Sequence, residues 1–377
     1  MENKNKRTIL VFNHTLAGHR VEFFHHLYLA AMNMTSNKYI FSYPKCDEEQ
    51  IKYLEWPHAD NIVFKETDLI TAGCNVLQSS YRSYVALKMA IKETNPDEVV
   101  LMDVMIFMPF ACLLRGVLIK GLIGTGIYLY TWKEDGLKKR IENVLKYFLF
   151  AKCKVFSKVY IQCDLSSALY LNKKFKTSKF EYICDPVSRL SISAKNLREE
   201  LGISSEKIVV LHAGELSNRK GSLDLLTGIN LCTPKTLAKY YFIFAGNVKS
   251  VVKSDFFKLV SDIKQKTDDF LLIEGFVSFE HLASLVSTCD ILFLPYNLTN
   301  QSSGFVGYGA EFNKPVVVTR DGLLGKIVRK YKLGYIIPDN TPKTISEFLS
   351  ANKRGMEING QAYLSDNTVK EFADMMI

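Results

Sequence analysis

The sequence predicts an α/β protein with two doubly wound, Rossmann-like domains that face a cleft. Three observations predict this fold class. The chain has 377 residues, too many for one ordinary core. Short apolar runs typical of strands alternate with longer amphipathic stretches typical of helices. This alternation starts afresh after Asp185-Pro186, where the residue before proline leaves helical space. Two such series indicate two parallel sheets, each covered by helices.

The first half of the chain contains seven predicted strands. They follow a short polar leader and are separated by helical patterns such as "RVEFFHHLYLAAMN" and "SYRSYVALKMAIKETN". The strands are "TILVFNH", "YIFSYP", "NIVF", "EVVLMDV", "GIYLYTW", "KVYIQC" and "FEYICDPV".

The second half contains six more predicted strands, again with helices between them. They are "KIVVLHAG", "YYFIFAG", "DFLLIEGFV", "DILFLPY", "KPVVVT" and "GYIIP". We therefore expect an N-terminal domain over 1–186 and a C-terminal domain over 187–365. The last stretch, 366–377, is predicted to form a helix that packs back on the N-terminal domain.

The composition is that of a globular protein, with 47% hydrophobic and 23% charged residues. The eight cysteines form no CxxC pair and no cluster with histidines, which favours a reducing, cytoplasmic compartment over a disulfide framework. They also give no support for a metal site. No apolar run reaches the ~20 residues that a spanning helix needs, so any membrane association is expected to be peripheral.

The net charge of +9 is unevenly distributed. Between Lys133 and Glu181 there are twelve Lys or Arg against five Asp or Glu. Within this region, 137–161 alternates cations with apolar side chains at roughly helical spacing, which predicts a basic amphipathic surface helix. Three interpretations stay open: a helix packed on the core, a seat on the inner face of an anionic membrane, or a nucleic-acid contact. No recognised motif supports nucleic acid.

Ligands of doubly wound sheets bind beyond the carboxyl ends of the strands, so the residues there are read chemically. In the first half, Gly18 and His19 follow the first strand at a helix start, and Asp103 follows the fourth. A single glycine is not the GxGxxG fingerprint of a dinucleotide site. Gly18 and His19 are therefore candidates for ligand contact, and ordinary packing of the strand against the helix is the alternative.

In the second half, three turns point to the same ligand chemistry. Gly214 and the pair Arg219-Lys220 follow one strand, Gly246-Asn247 follows the next, and Ser302-Ser303-Gly304 stands where a helix should begin. A helix start offers unpaired amides and the positive end of its dipole. Arginine and lysine beside such amides suit the oxygens of a diphosphate.

The order of these segments resembles the C-terminal domain of GT-B glycosyltransferases of the family 4, or glycosyl transferases group 1, type. The resemblance covers roughly residues 205–340. It rests on Gly214-Glu215-Leu216, Arg219-Lys220-Gly221, "FIFAGNV", "GFVSFEHLASLVSTCDILFLPY", "SSGFVGYGAEFNKPVVV" and "GLLGKIVRKYKLGYIIP".

The resemblance implies a nucleotide-diphosphate sugar as donor substrate, without a metal or other cofactor. It implies that Lys220 contacts the diphosphate, that 302–305 (including Phe305) cradles the phosphates, and that Phe276 and Val277 lie beside the nucleobase. Three features of the family pattern are missing. Glu215 replaces an arginine, Asn300 and Tyr308 replace two glutamates, and Trp132-Lys133 stand where the family has a histidine. Arg219 and Glu311 are the candidates to take over the lost contacts.

The predicted activity is transfer of the sugar, with retention, to a glycan, a lipid-linked acceptor or a small molecule. Two alternatives stay open: a nucleotide-sugar epimerase on the same fold, and a degenerate subunit that binds nucleotide-sugar without turnover. The predicted catalytic residues are Arg219, Lys220, Glu311 and His19, and the predicted donor-binding residues are Gly18, Gly214, Gly246, Asn247, Phe276, Val277, Ser302, Ser303, Gly304, Phe305 and Tyr308.

Overall fold

A computed structural model describes residues 6–16, 20–52, 54–124, 136–189, 194–297, 300–353 and 355–377, and only the backbone of residues 49, 50 and 137–139. The chain divides into two units. The first unit is Met1–Pro186 with Thr368–Ile377, and the second unit is Val187–Asn367.

The first unit is built on a seven-stranded parallel sheet of order β3-β2-β1-β4-β5-β6-β7. Its strands are β1 (Thr8–Phe12), β2 (Lys38–Pro44), β3 (Ile62–Thr67), β4 (Glu98–Leu101), β5 (Leu118–Ile123), β6 (Phe156–Gln162) and β7 (Phe180–Ile183). Its helices are α1 (Arg20–Met32), α2 (Glu48–Ile51), α3 (Val76–Thr94), α4 (Leu137–Lys152) and α5 (Leu165–Phe175). The central strand β1 is apolar on both faces because helices cover both sides of the sheet.

The second unit is built on a six-stranded parallel sheet of order β10-β9-β8-β11-β12-β13. Its strands are β8 (Ile208–Ala213), β9 (Tyr240–Gly246), β10 (Phe270–Glu274), β11 (Ile291–Leu294), β12 (Val316–Thr319) and β13 (Gly334–Ile337). Its helices are α6 (Ser222–Asn230), α7 (Pro234–Leu237), α8 (Lys253–Lys264), α9 (Phe279–Thr288), α10 (Gly304–Glu311), α11 (Leu323–Tyr331), α12 (Pro342–Ser350) and α13 (Gln361–Asp366). Both sheets reverse their strand order beside the first strand, so the prediction of two doubly wound α/β sheets is confirmed.

The last helix, α14 (Val369–Met376), belongs to the first unit. Phe372 packs on Phe23 of α1 with ring centroids 5.0 Å apart. The Tyr160 hydroxyl donates a hydrogen bond to the Met375 carbonyl oxygen at 2.6 Å. An apolar face and one hydrogen bond therefore hold the end of the chain on the first sheet.

One strand was missed in the sequence. The predicted strand "GIYLYTW" lies wholly outside the described residues. The fifth strand of the sheet, β5, lies earlier in the chain, at Leu118–Ile123. Lys120 interrupts that apolar run, but its ammonium lies 3.3 Å from the Glu98 carboxylate of β4. The carboxylate on the neighbouring strand β4 thus pairs with the Lys120 ammonium, so a lysine is tolerated within β5.

The prediction of one helix over 137–161 is wrong. The helix α4 ends at Lys152, and β6 begins at Phe156. Phe156, Val159 and Ile161 are buried in the sheet, so their apolar side chains serve strand packing and not a helix face. The single cation of β6, Lys158, pairs with Glu181 of β7.

No helix in the described ranges is both long and apolar enough to cross a bilayer.

Candidate active site

The carboxyl ends of β8 and β9 are joined by backbone contacts. Gly214 donates a backbone hydrogen bond to Ala245 at 2.9 Å, and Leu216 donates one to Asn247 at 2.9 Å. A Cβ on Gly246 would lie 1.7 Å from the Gly214 carbonyl oxygen, and the φ of Gly246 is +140°. Only glycine fits this close approach. The structure therefore brings Gly214, Gly246 and Asn247 together, at the edge where a ligand is expected.

A second glycine fixes the turn that carries the two cations. Asn218–Lys220 form a short 3-10 turn, and Gly221 follows it with φ +68°. A Cβ on Gly221 would lie 1.9 Å from the Pro295 carbonyl oxygen, directly after β11. The Asn297 amide also donates to the Arg219 carbonyl oxygen at 3.1 Å. The turn is thus held against the end of β11, the strand next to β8.

Lys220 is linked to the start of α10 through a buried tyrosine. Its ammonium donates to the Tyr296 hydroxyl at 2.5 Å and lies 4.1 Å from the centroid of that ring. The Tyr296 hydroxyl is 3.0 Å from the Ser303 hydroxyl. Tyr296 and Ser303 are both buried. One hydrogen-bonded chain therefore runs from the lysine to the residue that precedes the first turn of α10.

The start of α10 retains the properties of an anion site. Ser303 is the N-cap residue, but its side chain makes no capping hydrogen bond, because its hydroxyl is engaged with Tyr296. Gly304 is exposed, and a Cβ placed on it would meet nothing within 4 Å. Open space therefore lies in front of helix amides that carry a partial positive charge. Together, the Lys220 ammonium and these amides form a cradle of the kind that binds phosphate. We call it the Lys220 cradle.

Arg219 has a different set of partners. Its guanidinium donates to the Gln301 side-chain oxygen at 3.1 Å and lies 3.8 Å from the Glu215 carboxylate. Glu215 is also 3.0 Å from the ammonium of Lys249. Burial opposes ionisation of Glu215, but the hydrogen bond and charge of Lys249, with the charge of Arg219, outweigh it and lower its pKa. Glu215 therefore offsets much of the positive charge beside the Lys220 cradle.

A buried histidine supports the cation turn from below. Nδ1 of His212 donates to the Phe293 carbonyl oxygen at 2.9 Å, and Nε2 accepts from the Ser222 hydroxyl at 2.8 Å. The Ser217 amide in turn donates to the Ser222 hydroxyl oxygen at 3.0 Å. Burial lowers the pKa of His212 to about 4, so the imidazole is neutral near pH 7 and can accept from serine.

The other predicted donor-site residues lie on two elements. Phe276 and Val277 follow β10, and the Phe276 side chain is 70% exposed. Ser302 is half-buried before α10, whereas Phe305 is buried with its ring centroid 5.6 Å from the Lys220 ammonium. Phe305 also contacts Gly214, since a Cβ there would lie 3.2 Å from its ring.

Tyr308 and Glu311 lie further along α10. Tyr308 is buried against Phe305, with ring centroids 5.6 Å apart. Glu311 is the last residue of α10, about 10 Å along the helix axis from Gly304 at ~1.5 Å per residue. The structure thus places Glu311 at the opposite end of α10 from the Lys220 cradle. Asn300 is nearer, and its side-chain oxygen is buried with no hydrogen-bond partner.

In the first unit, Gly18 and His19 lie outside the described residues. Asp103, which follows β4, accepts from the Arg20 guanidinium at 2.8 Å. His14 follows β1, and burial lowers its pKa to about 4 although the nearby Asp103 carboxylate opposes this. Asp103 is therefore neutralised by Arg20 at the carboxyl edge of the first sheet.

Buried polar groups lie at the same edge of the first sheet. Asn13 is 1% exposed, and neither polar atom of its side chain has a hydrogen-bond partner. Burial, followed by the negative charge of Asp185, raises the pKa of Glu22 to about 7. Gln162 donates to the Asp185 carboxylate at 2.7 Å. These groups are suited to hydrogen-bonding a hydroxylated ligand.

Sequence reasoning missed Tyr296, Lys249 and His212 in the second unit. Each follows or ends a predicted strand, and Tyr296 lies in the quoted "PY" after β11, so position relative to the strands was the available signal. Their partners, however, lie in other segments of the chain. In the described ranges, no group of three or more His, Cys, Asp or Glu side chains is arranged to hold a metal ion.

Comparison with known proteins adds a family and a fold. Residues 193–351 match the family model of glycosyl transferases group 1. No curated protein matches the chain. The fold is similar to Anabaena HepE, solved with UDP and glucose, with a TM-score of 0.70 and 13% identity over 98% of both chains.

Two further solved structures are similar over nearly their whole length. Sucrose-phosphate synthase from Thermosynechococcus elongatus has a TM-score of 0.72 and 11% identity over 99% of this chain and 97% of that one. WaaG, a glycosyltransferase involved in lipopolysaccharide biosynthesis, has a TM-score of 0.65 and 13% identity over 97% and 95%. The fold of the chain is therefore that of the GT-B glycosyltransferases, and its residues 193–351 match the glycosyl transferases group 1 model.

Proposed function

We propose that the protein transfers a sugar from a nucleotide-diphosphate donor to a hydroxyl of a glycan, a lipid-linked acceptor or a small molecule, with retention of anomeric configuration. The observation that carries this proposal is the Lys220–Tyr296–Ser303 chain at the open start of α10. A cation held beside uncapped helix amides can bind the oxygens of the two phosphate groups of a diphosphate.

The arrangement suits stabilisation of a leaving group. Negative charge grows on the diphosphate as the bond from its oxygen to the anomeric carbon breaks. Lys220 is already oriented by Tyr296, and the amides of α10 are fixed by the helix, so neither must reorganise during the reaction. Preorganised donors of this kind stabilise the transition state more than the intact donor.

We propose a uridine nucleotide as the base of the donor, because HepE of similar fold was solved with UDP and with UDP-glucose. The exposed Phe276 ring beside Val277 is a stacking surface suited to a base. The lysine and the helix amides supply positive charge to the diphosphate themselves, so we propose turnover without a metal ion. Chelation with EDTA should then leave the rate unchanged, whereas loss of activity that Mg²⁺ restores would contradict this.

A donor panel tests the proposal. The protein is incubated with UDP-, GDP-, ADP- and dTDP-sugars, and release of the nucleoside diphosphate is followed. Slow hydrolysis of one donor supports a transferase. An epimerised donor would support the alternative of an epimerase, and tight binding without product would support a degenerate subunit. Once an acceptor is found, the anomeric configuration of the product by NMR tests retention.

We also propose a cytoplasmic location with peripheral contact at the inner face of the membrane. All eight cysteines are free thiols, which fits a reducing compartment. The membrane contact was expected over 137–161, but the strand β6 occupies the second part of that range. The helix α4 is the part that can present a surface to lipid.

A further inference from the structure

One helical layer of the first unit contains an unusual concentration of exposed apolar side chains. The helices α3, α4 and α5 connect β3 to β4, β5 to β6 and β6 to β7. These three connections advance in the same direction along the parallel sheet. Right-handed crossovers that advance in one direction lie on one face of a sheet. The helix α1 connects β1 to β2 in the opposite direction and therefore lies on the other face.

The exposed apolar residues of α4 and α5 form two parallel stripes. On α4, Ile141, Leu145 and Phe148 are spaced i, i+4, i+7 and are 60%, 54% and 43% exposed. On α5, the exposed residues are Leu165, Leu169 and Tyr170. The two helices are neighbours, since Phe148 lies 6.1 Å from Phe175 between ring centroids. We call these six exposed side chains the docking face.

The helix α3, on the same face of the sheet, also carries exposed apolar side chains. Val76, Leu77, Tyr81 and Met89 are each more than half exposed there. A single exposed leucine needs no explanation, but apolar stripes on the two neighbouring helices α4 and α5 mark an interaction surface. The exposed area of these side chains lies outside the core of the unit, so it points to something that covers them.

The charge beside the docking face selects the class of partner. Between residues 136 and 177 there are ten Lys or Arg and two acidic residues. One of the two, Asp164, is buried and caps α5 by accepting from the Ser167 amide. Lys152, Lys173, Lys174 and Lys176 are exposed at the ends of the two helices. A second copy of this face would meet the same positive charge and be repelled, whereas an anionic surface would be attracted.

We propose that the docking face binds the surface of an anionic lipid bilayer. The apolar stripes insert at the level of the headgroups, and the flanking lysines contact lipid phosphates. Long lysine side chains suit this, because they keep the ammonium at the interface while their stems cover apolar surface. The inference rests on the membrane contact proposed above and deepens it by naming the residues and the class of lipid, and it does not depend on the proposed sugar transfer.

Vesicle co-sedimentation of the full chain tests the inference. We expect binding to phosphatidylcholine vesicles that contain phosphatidylglycerol, little binding to phosphatidylcholine alone, and weaker binding as salt rises. The double variant L145S/L169S removes apolar area that is exposed in the fold, and K173E/K174E reverses two charges. Each should lower vesicle affinity about tenfold or more, from ~1 kcal/mol per basic residue or the loss of inserted apolar area.

Matched controls lie on the second unit. Leu231 is 59% exposed, and Lys235 and Lys239 are exposed, so L231S and K235E/K239E make similar changes elsewhere and should bind vesicles like the wild type. Donor hydrolysis in lipid-free buffer should be unchanged in all four variants, which separates membrane binding from catalysis. No binding of the wild type to anionic vesicles would overturn the inference. So would equal binding by the docking-face and control variants, or a wild-type dimer that L145S/L169S dissociates.

Discussion

Replacing Lys220 by alanine should nearly abolish sugar transfer while leaving the fold intact. The reason is the position of its ammonium, between the Tyr296 hydroxyl and the open start of α10. Removing one preorganised donor to a developing oxyanion costs about 10²–10³ in kcat, or ~3–4 kcal/mol of transition-state stabilisation. We expect a loss of this size in donor hydrolysis and in transfer.

The cost to folding should be much smaller. Lys220 gives up one hydrogen bond and its cation–π contacts with the Tyr296 and Phe305 rings, worth about 1–2 kcal/mol together. Tyr296 keeps its hydrogen bond with Ser303, so no buried hydroxyl is left without a partner. Gly221, which holds the turn against Pro295, is unchanged. The variant should therefore unfold cooperatively and only slightly below the wild-type temperature.

The assay follows release of nucleoside diphosphate, with kcat and KM measured separately, and unfolding is followed by calorimetry. Lys220→Arg keeps the charge and should lose less activity than Lys220→Ala. Lys235→Ala, an exposed lysine on α7, is the control and should match the wild type. The reasoning is refuted if folded Lys220→Ala retains kcat/KM within about threefold of wild type, because a group aimed at the leaving diphosphate cannot be dispensable.

Three further predictions concern the surroundings of this lysine. Tyr296→Phe removes the hydroxyl that orients Lys220 and should lower kcat about tenfold with little change in donor KM; equal losses in Tyr296→Phe and in the exposed-site control Tyr170→Phe would contradict this. Glu215→Gln removes the carboxylate that offsets Arg219 and Lys249, so UDP should bind several-fold more tightly at low salt by calorimetry; weaker binding would show that Glu215 itself contacts the nucleotide. His212 has a folded pKa of about 4, below its unfolded value, so its neutral form stabilises the fold above pH 6.5 and this stability is lost as pH falls. Between pH 7 and 5 this residue should lower the free energy of unfolding by about 2 kcal/mol. Urea unfolding should show this decrease in the wild type and a smaller decrease in His212→Gln.

Much of the second unit could be predicted from the sequence. Glycine after β8, the adjacent Arg219 and Lys220, and the small residues before α10 are local signals, and the structure places them at one edge of one sheet. Apolar strand runs also located twelve of the thirteen strands in the described residues, because buried parallel strands are apolar on both faces. The strand β5 was missed since its Lys120 is neutralised by a residue of another strand.

The local sequence pattern could not predict the hydrogen-bond and ion-pair partners of the side chains. The sequence treats Arg219 and Lys220 as two equivalent cations, but the fold gives Lys220 to Tyr296 and Arg219 to Glu215 and Gln301. Those partners are distant in the chain, apart from Glu215, and meet only because β11 lies beside β8.

The sequence by itself determined the class of fold, the succession of strands and helices along the chain and the turn that carries the cations. The hydrophobic period and the positions of glycines determine these features, and both are local signals that extend over a few residues. Only the tertiary structure decided which of the two cations is paired with a carboxylate and which apolar stripes of α4 and α5 stay exposed. Both depend on what packs against a side chain from elsewhere, and burial and charge pairing are properties of the assembled fold.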